Sequence, residues 1–174
     1  MACIVTAVRV AVEAGIGATM RDFSLGGRTG PMHGDTLTGL TAYVRTISDG
    51  CFVMRAFSPG VATSVGPCVG LVIDGIDVIV ASRRDQTFDT EIFKLHGITV
   101  EECDIVALKS SAHFRAGFRH IARLIVTSDA PGLSSLNPAG FRRTHAAALL
   151  WPMDEAAEYR AAAGAAGVME ASRL

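Results

Sequence analysis

PCVGLVIDGIDVIVASRR, residues 67–84, decides the fold. Two apolar runs flank Asp74-Gly75. An Asp-Gly pair in that setting predicts a two-residue hairpin, because the tight turn that matches strand twist needs φ > 0 at both central positions. The same grammar stands just upstream. Leu40, Ala42 and Val44 alternate with polar neighbours, Asp49-Gly50 supplies a second turn signal, and residues 51–57 read as its returning strand. Residues 36–82 are therefore expected to form an antiparallel β-meander. Arg83 and Arg84 close the last strand, where they either face a ligand or mark its exit into solvent.

Working outward, CDIVALKSSAHFRAGFRHI at 103–121 passes from an apolar run, 105–108, through Lys109, Ser110 and Ser111 to a helical period in Phe114, Phe118 and Ile121. It reads as strand, turn and helix, with Ser110 or Ser111 as the cap. Lys109, His113 and Arg115 crowd a helix N-terminus, whose free N–H groups favour an anion or carboxylate; the alternative is a solvated basic rim. Residues 123–127 read as one more strand, so strand, helix and strand suggest a parallel crossover. The expected class is α/β (mixed), a meander joined to that crossover, with a mixed sheet and flanking helices. Val5, Val8 and Val12 predict a helix over 4–14 that ends at Gly15 and Gly17, and a strand follows over 19–25. The loop at 26–34 has four glycines but lacks the spacing and the Lys-Ser/Thr ending of a phosphate loop. Asp89 or Thr90 is expected to cap a short helix through Leu95, with His96 as a favourable charge at its end.

Composition narrows the function classes. The 174 residues are 49% hydrophobic with a net charge of -1, and 16 basic and 17 acidic residues are spread without long runs. No nucleic-acid footprint follows from that balance. The N-terminal stretch is interrupted by Arg9 and Glu13, so neither a membrane partner nor export is expected, and a cytoplasmic setting is. Cys3, Cys51, Cys68 and Cys103 are too far apart for a metal finger and are expected as buried thiols. Five histidines, at 33, 96, 113, 120 and 145, show no HExxH pairing. Ser110 or Ser111, His113 and Asp129 supply the residue types of a hydrolytic triad, yet no GxSxG elbow supports one.

The order of GIGAT at 15–19, LGGRTGPMHG at 25–34, SDGCFVMR at 48–55, IDGIDVIVASRRDQTFD at 73–89, VALKSSAHFRAGFRHIA at 106–122 and SDAPGLSS at 128–135 resembles the C-terminal domain of the MlrC family, the microcystinase C-like metallopeptidases. The resemblance implies a two-domain zinc hydrolase whose metal ligands belong to an N-terminal domain, with the C-terminal domain helping to form the substrate cleft. It places a C-terminal domain over residues 1–153, truncated at its N-terminal side, followed by an Ala-rich helix or tail over 154–174. The family's glycine-rich opening segment is absent, and FRRTHAAALLWPMD departs from the usual end of the domain. No catalytic residue, metal ligand or zinc is therefore assigned to this chain, which alone is expected to be inactive. Lys109 and Arg115 are candidates to bind an anionic group of the substrate, Ser110 to bind or cap, and His113 to contact substrate, with Arg83 and His33 in second rank. Expected partners are a separate N-terminal MlrC-like domain or a second copy, and a small peptide or carboxylate. The alternatives are a stand-alone binding module for such ligands and a hydrolase with a metal site rebuilt from His33, His113 or His145.

Overall fold

A computed structural model of the chain describes residues 2–27 and 34–128. All of them belong to the first of two compact units, residues 1–133 and 134–174. His33, His145, Trp151 and the 154–174 segment lie outside the described residues. The elements are α1 (Ala2–Ala14), β1 (Thr19–Leu25), β2 (Leu37–Ser48), β3 (Cys51–Val53), β4 (Ala62–Ser64), β5 (Cys68–Ile73), β6 (Ile76–Ala81), α2 (Glu91–Lys94), a 3-10 turn at Val100–Glu102, and α3 (Arg115–Phe118). The α/β class and the antiparallel β region agree with the sequence.

β1, β2, β5 and β6 form one antiparallel sheet in the order β1-β2-β5-β6. The β5–β6 hairpin turns at Asp74 (φ 50°) and Gly75 (φ 80°), the positive pair that a two-residue turn demands. α1 covers one face, with Ala7, Val8 and Ala11 packed among Ala42, Val44, Val69 and Leu71. This corrects the expected stripe, since Val5 and Val12 are 44% and 42% exposed. α1 is apolar on almost every side, so its period alone does not choose a face; the small Ala7 and Ala11 let its backbone approach the sheet.

The other face carries Cys68 and the partly buried Ile79 and Ala81 against Val65 and Ile92. Burial on both faces explains why β5 is a continuous apolar run rather than an alternating one. His96 sits in this layer, 1% exposed, with Nδ1 2.6 Å from Thr46 Oγ1 and Nε2 3.2 Å from Cys68 Sγ. Burial pushes its pKa down and that of the Cys68 thiol up, so the pair is neutral. His96 is thus an interior ring and not a charge at a helix end. Of the expected buried thiols, Cys68 is one, whereas Cys51 and Cys103 are exposed.

Asp49-Gly50 makes no hairpin turn. β2 pairs with β5 up to Ser48–Cys68, and β3 takes over with β4 from Cys51–Ser64, so the two strands run on as one long arm whose tip is residues 54–61. The arm bends between the ladders, where Gly50 (φ 73°) faces Gly66 (φ 67°). A Cβ on Gly50 would stand 2.0 Å from the Gly66 carbonyl oxygen. Asp49 Oδ1 accepts the Cys51 N–H at 2.9 Å, a local side-chain turn that competes with the hairpin geometry the dipeptide suggests.

The expected parallel crossover is not formed among the described residues. Residues 105–108 and 123–127 belong to no strand, and the sheet ladders are all antiparallel. Ile105, Leu124 and Val126 are 88%, 79% and 77% exposed, so these apolar runs lack the burial that would favour pairing.

Candidate functional site

The arm tip, residues 85–93 and the 109–118 segment meet at one end of the sheet. Asp89 anchors the meeting point. It is 2% exposed; Oδ2 accepts the Arg55 and Ala56 N–H groups at 2.7 Å each, and Oδ1 accepts the Glu91 N–H at 3.1 Å. One carboxylate therefore ties the arm tip to the start of α2, whose N-cap position is Thr90 with no side-chain cap. α3 then seats closely, because Gly117 leaves no room for a side chain: a Cβ there would lie 2.7 Å from the Phe88 carbonyl oxygen. Phe118, 4% exposed, packs edge-on to Phe93 with centroids 5.9 Å apart.

These contacts place His113 in a ring cluster. Its centroid is 4.8 Å from that of Phe57 on the arm tip and 6.3 Å from that of Phe88, and the two phenyl rings are 5.1 Å apart. His113 Nδ1 lies 3.1 Å from Gln86 Oε1. An amide oxygen only accepts, so Nδ1 donates to it and Nε2 is the ring nitrogen left for a ligand. The ring is exposed, so Nε2 is within reach of a ligand.

The other predicted residues are distributed around this cluster. Lys109 is exposed and has no ion-pair partner among the described residues. Arg115 is exposed, donates from Nη1 to the Ser111 carbonyl at 3.2 Å and lies 4.9 Å from the Phe114 ring centroid. Ser110 does not cap the helix. α3 is a single turn that begins after Phe114 with no side-chain cap, while the Ser110 hydroxyl oxygen is buried without a hydrogen-bond partner among the described residues. Arg83 and Gln86 line one cavity beside the ring cluster. Among the described residues no three His, Cys, Asp or Glu side chains gather as a metal-holding group, and no helix is long and apolar enough to cross a membrane. Sequence reasoning did not find Phe57, Gln86 or Phe88, and it found Asp89 only as a helix cap. Phe57 and Phe88 lie 31 positions apart, at no spacing that signals contact.

The family model described as MlrC C-terminus matches residues 2–145. Microcystinase C of a Sphingomonas species is 28% identical over 154 residues, covering 85% of this chain and 27% of that protein. The crystal structure of a candidate metallopeptidase from Mesorhizobium sp. BNC1 superposes with a TM-score of 0.72 at 26% identity, covering 88% of this chain and 30% of that one. The chain thus spans less than a third of the length of each of these relatives.

Proposed function

We propose, from the premise that this chain belongs to the MlrC C-terminal family, that it is the cleft-forming C-terminal part of a zinc metallopeptidase-type hydrolase and leaves metal and ligands to a separate N-terminal domain. The family match over residues 2–145, on a chain that covers 27% of a named microcystinase, carries this reading. In such a hydrolase the zinc activates a water molecule. The described residues offer no three-ligand set for it, and none of their side chains is assigned a part in that step.

What this chain contributes is positioning. Lys109 and Arg115 offer cations to a carboxylate of the substrate, at the segment where the Ser110 hydroxyl has no partner among the described residues. His113 Nε2 hydrogen-bonds the peptide backbone, its ring held by Phe57 and Gln86. A stand-alone module for small acids or peptides is the second reading, favoured by the unpaired Lys109. Elemental analysis for zinc, solution mass and a peptide-cleavage panel test both. Metal-free, inactive protein that binds small peptides less well as Lys109→Ala or Arg115→Ala fits the cleft reading and its binding-module variant, and an N-terminal domain that restores cleavage distinguishes the first. About one zinc per chain with chelator-sensitive cleavage overturns both in favour of a rebuilt site that uses His33, His113 or His145.

A further inference from the structure

The arm, the end of β6 and residues 85–93 line an open cavity of about 130 Å3. Phe52, Met54, Ile79 and Ala81 give it apolar walls, and Arg83 and Asp85 stand among its polar lining. We propose that this cavity and the outer edge of β6 together bind the carboxyl-terminal residue of an extended peptide whose last side chain is apolar. The proposal deepens the cleft reading and rests on it only for the claim that the bound peptide is a substrate.

Size is the first support. Ligand sites that enclose a whole small molecule run to roughly 300–1,000 Å3, whereas an apolar cavity of about 150 Å3 takes a single benzene ring. The cavity therefore matches one leucine- or phenylalanine-sized side chain. The strand edge is the second. β6 has β5 on one side and no strand on the other among the described residues. The tight turn makes Ile73–Ile76 a hydrogen-bonded pair, and the Ser82 N–H still donates to the Pro67 carbonyl six residues on. The bonded positions are therefore even-numbered, and the backbone groups of Asp77, Ile79 and Ala81 point outward. Ile79 and Ala81 also line the cavity, so a peptide paired with this edge runs beside the opening and presents alternate side chains to it.

Charge complementarity is the third support and selects the occupant. Arg83, just past the end of β6, lines the same cavity and has no ion-pair partner among the described residues. A terminal carboxylate supplies that partner. Asp89, also in the lining, commits its oxygens to the Arg55, Ala56 and Glu91 N–H groups, and Asp85 Oδ1 accepts the Gln86 N–H at 2.8 Å, so Arg83 is the lining's cation left to meet an anion.

Fluorescence anisotropy with the 174-residue chain tests this, using fluorescein-labelled Gly-Gly-Ser-Leu with a free carboxylate, its carboxamide, and Gly-Gly-Ser-Ser. The free acid ending in leucine is expected to bind, and each of the other two to bind at least about tenfold more weakly. Arg83→Gln, an exposed change, should weaken the free acid by about tenfold and leave the carboxamide unchanged. Equal binding of acid and carboxamide, equal binding of the leucine and serine peptides, or no saturable binding at millimolar peptide overturns the proposal. Binding that ignores Arg83 and the last side chain but falls in Lys109→Ala sinks this cavity and spares the cleft reading. Binding that follows the cavity, in a chain that no N-terminal domain activates, does the reverse.

Discussion

Asp89→Ala is the substitution with the largest consequence for the site. The wild-type carboxylate is 2% exposed and accepts three backbone N–H groups, from Arg55, Ala56 and Glu91. A hydrogen bond to a charged group contributes about 1.5–3 kcal/mol, and a donor stranded in the interior costs about 1–3 kcal/mol. The three bonds share one carboxylate and lie at the edge of the core, so their sum is discounted to about 3–5 kcal/mol of stability. With a urea m-value near 2 kcal/mol/M, the unfolding midpoint should fall by about 1.5–2.5 M. Asp89→Asn keeps one acceptor oxygen and should fall by less. Below its midpoint, Asp89→Ala should also release the arm tip, and the His113 ring protons should lose the ring-current shifts of Phe57 and Phe88 in NMR spectra. A loss of less than about 1 kcal/mol, with the His113 shifts intact, would refute the claim that this carboxylate holds the tip against the 88–91 segment.

Other outcomes follow from the same geometry. His96 is buried and its pKa is held below 6.5, so the unfolded chain binds the extra proton; stability should be fully present above about pH 6.5 and fall on acidification, a slope that His96→Gln should reduce in pH-dependent urea melts. Thiol labelling followed by peptide mass analysis should modify Cys51 and Cys103 in the native protein and Cys68 only on unfolding, because burial keeps the Cys68 thiol protonated as well as covered. Gly50→Ala imposes a side chain at φ 73° and a contact 2.0 Å from the Gly66 carbonyl oxygen, and should cost roughly 1–3 kcal/mol in thermal or urea unfolding.

Two identical dipeptides show how far the sequence carries. Asp74-Gly75 was legible because its flanks, Ile73 and Ile76, pair directly across the turn, so local chemistry and register agree. Asp49-Gly50 carries the same signal, yet the partner of β2 is β5, which lies beyond the whole arm. Only the long-range ladder distinguishes a turn from a bend. The 105–108 run is a related case, since apolar content alone did not reveal whether a neighbouring strand would be in reach. His113 was legible as an exposed candidate among basic residues, whereas the hydrogen bond that orients its ring is made to Gln86, 27 positions away. His96 was misread because its neighbours in sequence resemble a helix end, while its neighbours in space, Thr46 and Cys68, are 50 and 28 positions distant.

The arm leaves the sheet after Ser48 and returns at Cys68, two residues that face each other across one ladder. An excursion that starts and ends at adjacent points can be lengthened or shortened without shifting the strands that launch it. Doubling such a loop costs only about 0.6 kcal/mol in closure entropy. Changes in this molecule's reach are therefore expected to be tolerated at residues 58–60, past the Arg55 and Ala56 bonds to Asp89 and the Phe57 ring contacts, while the sheet keeps its register.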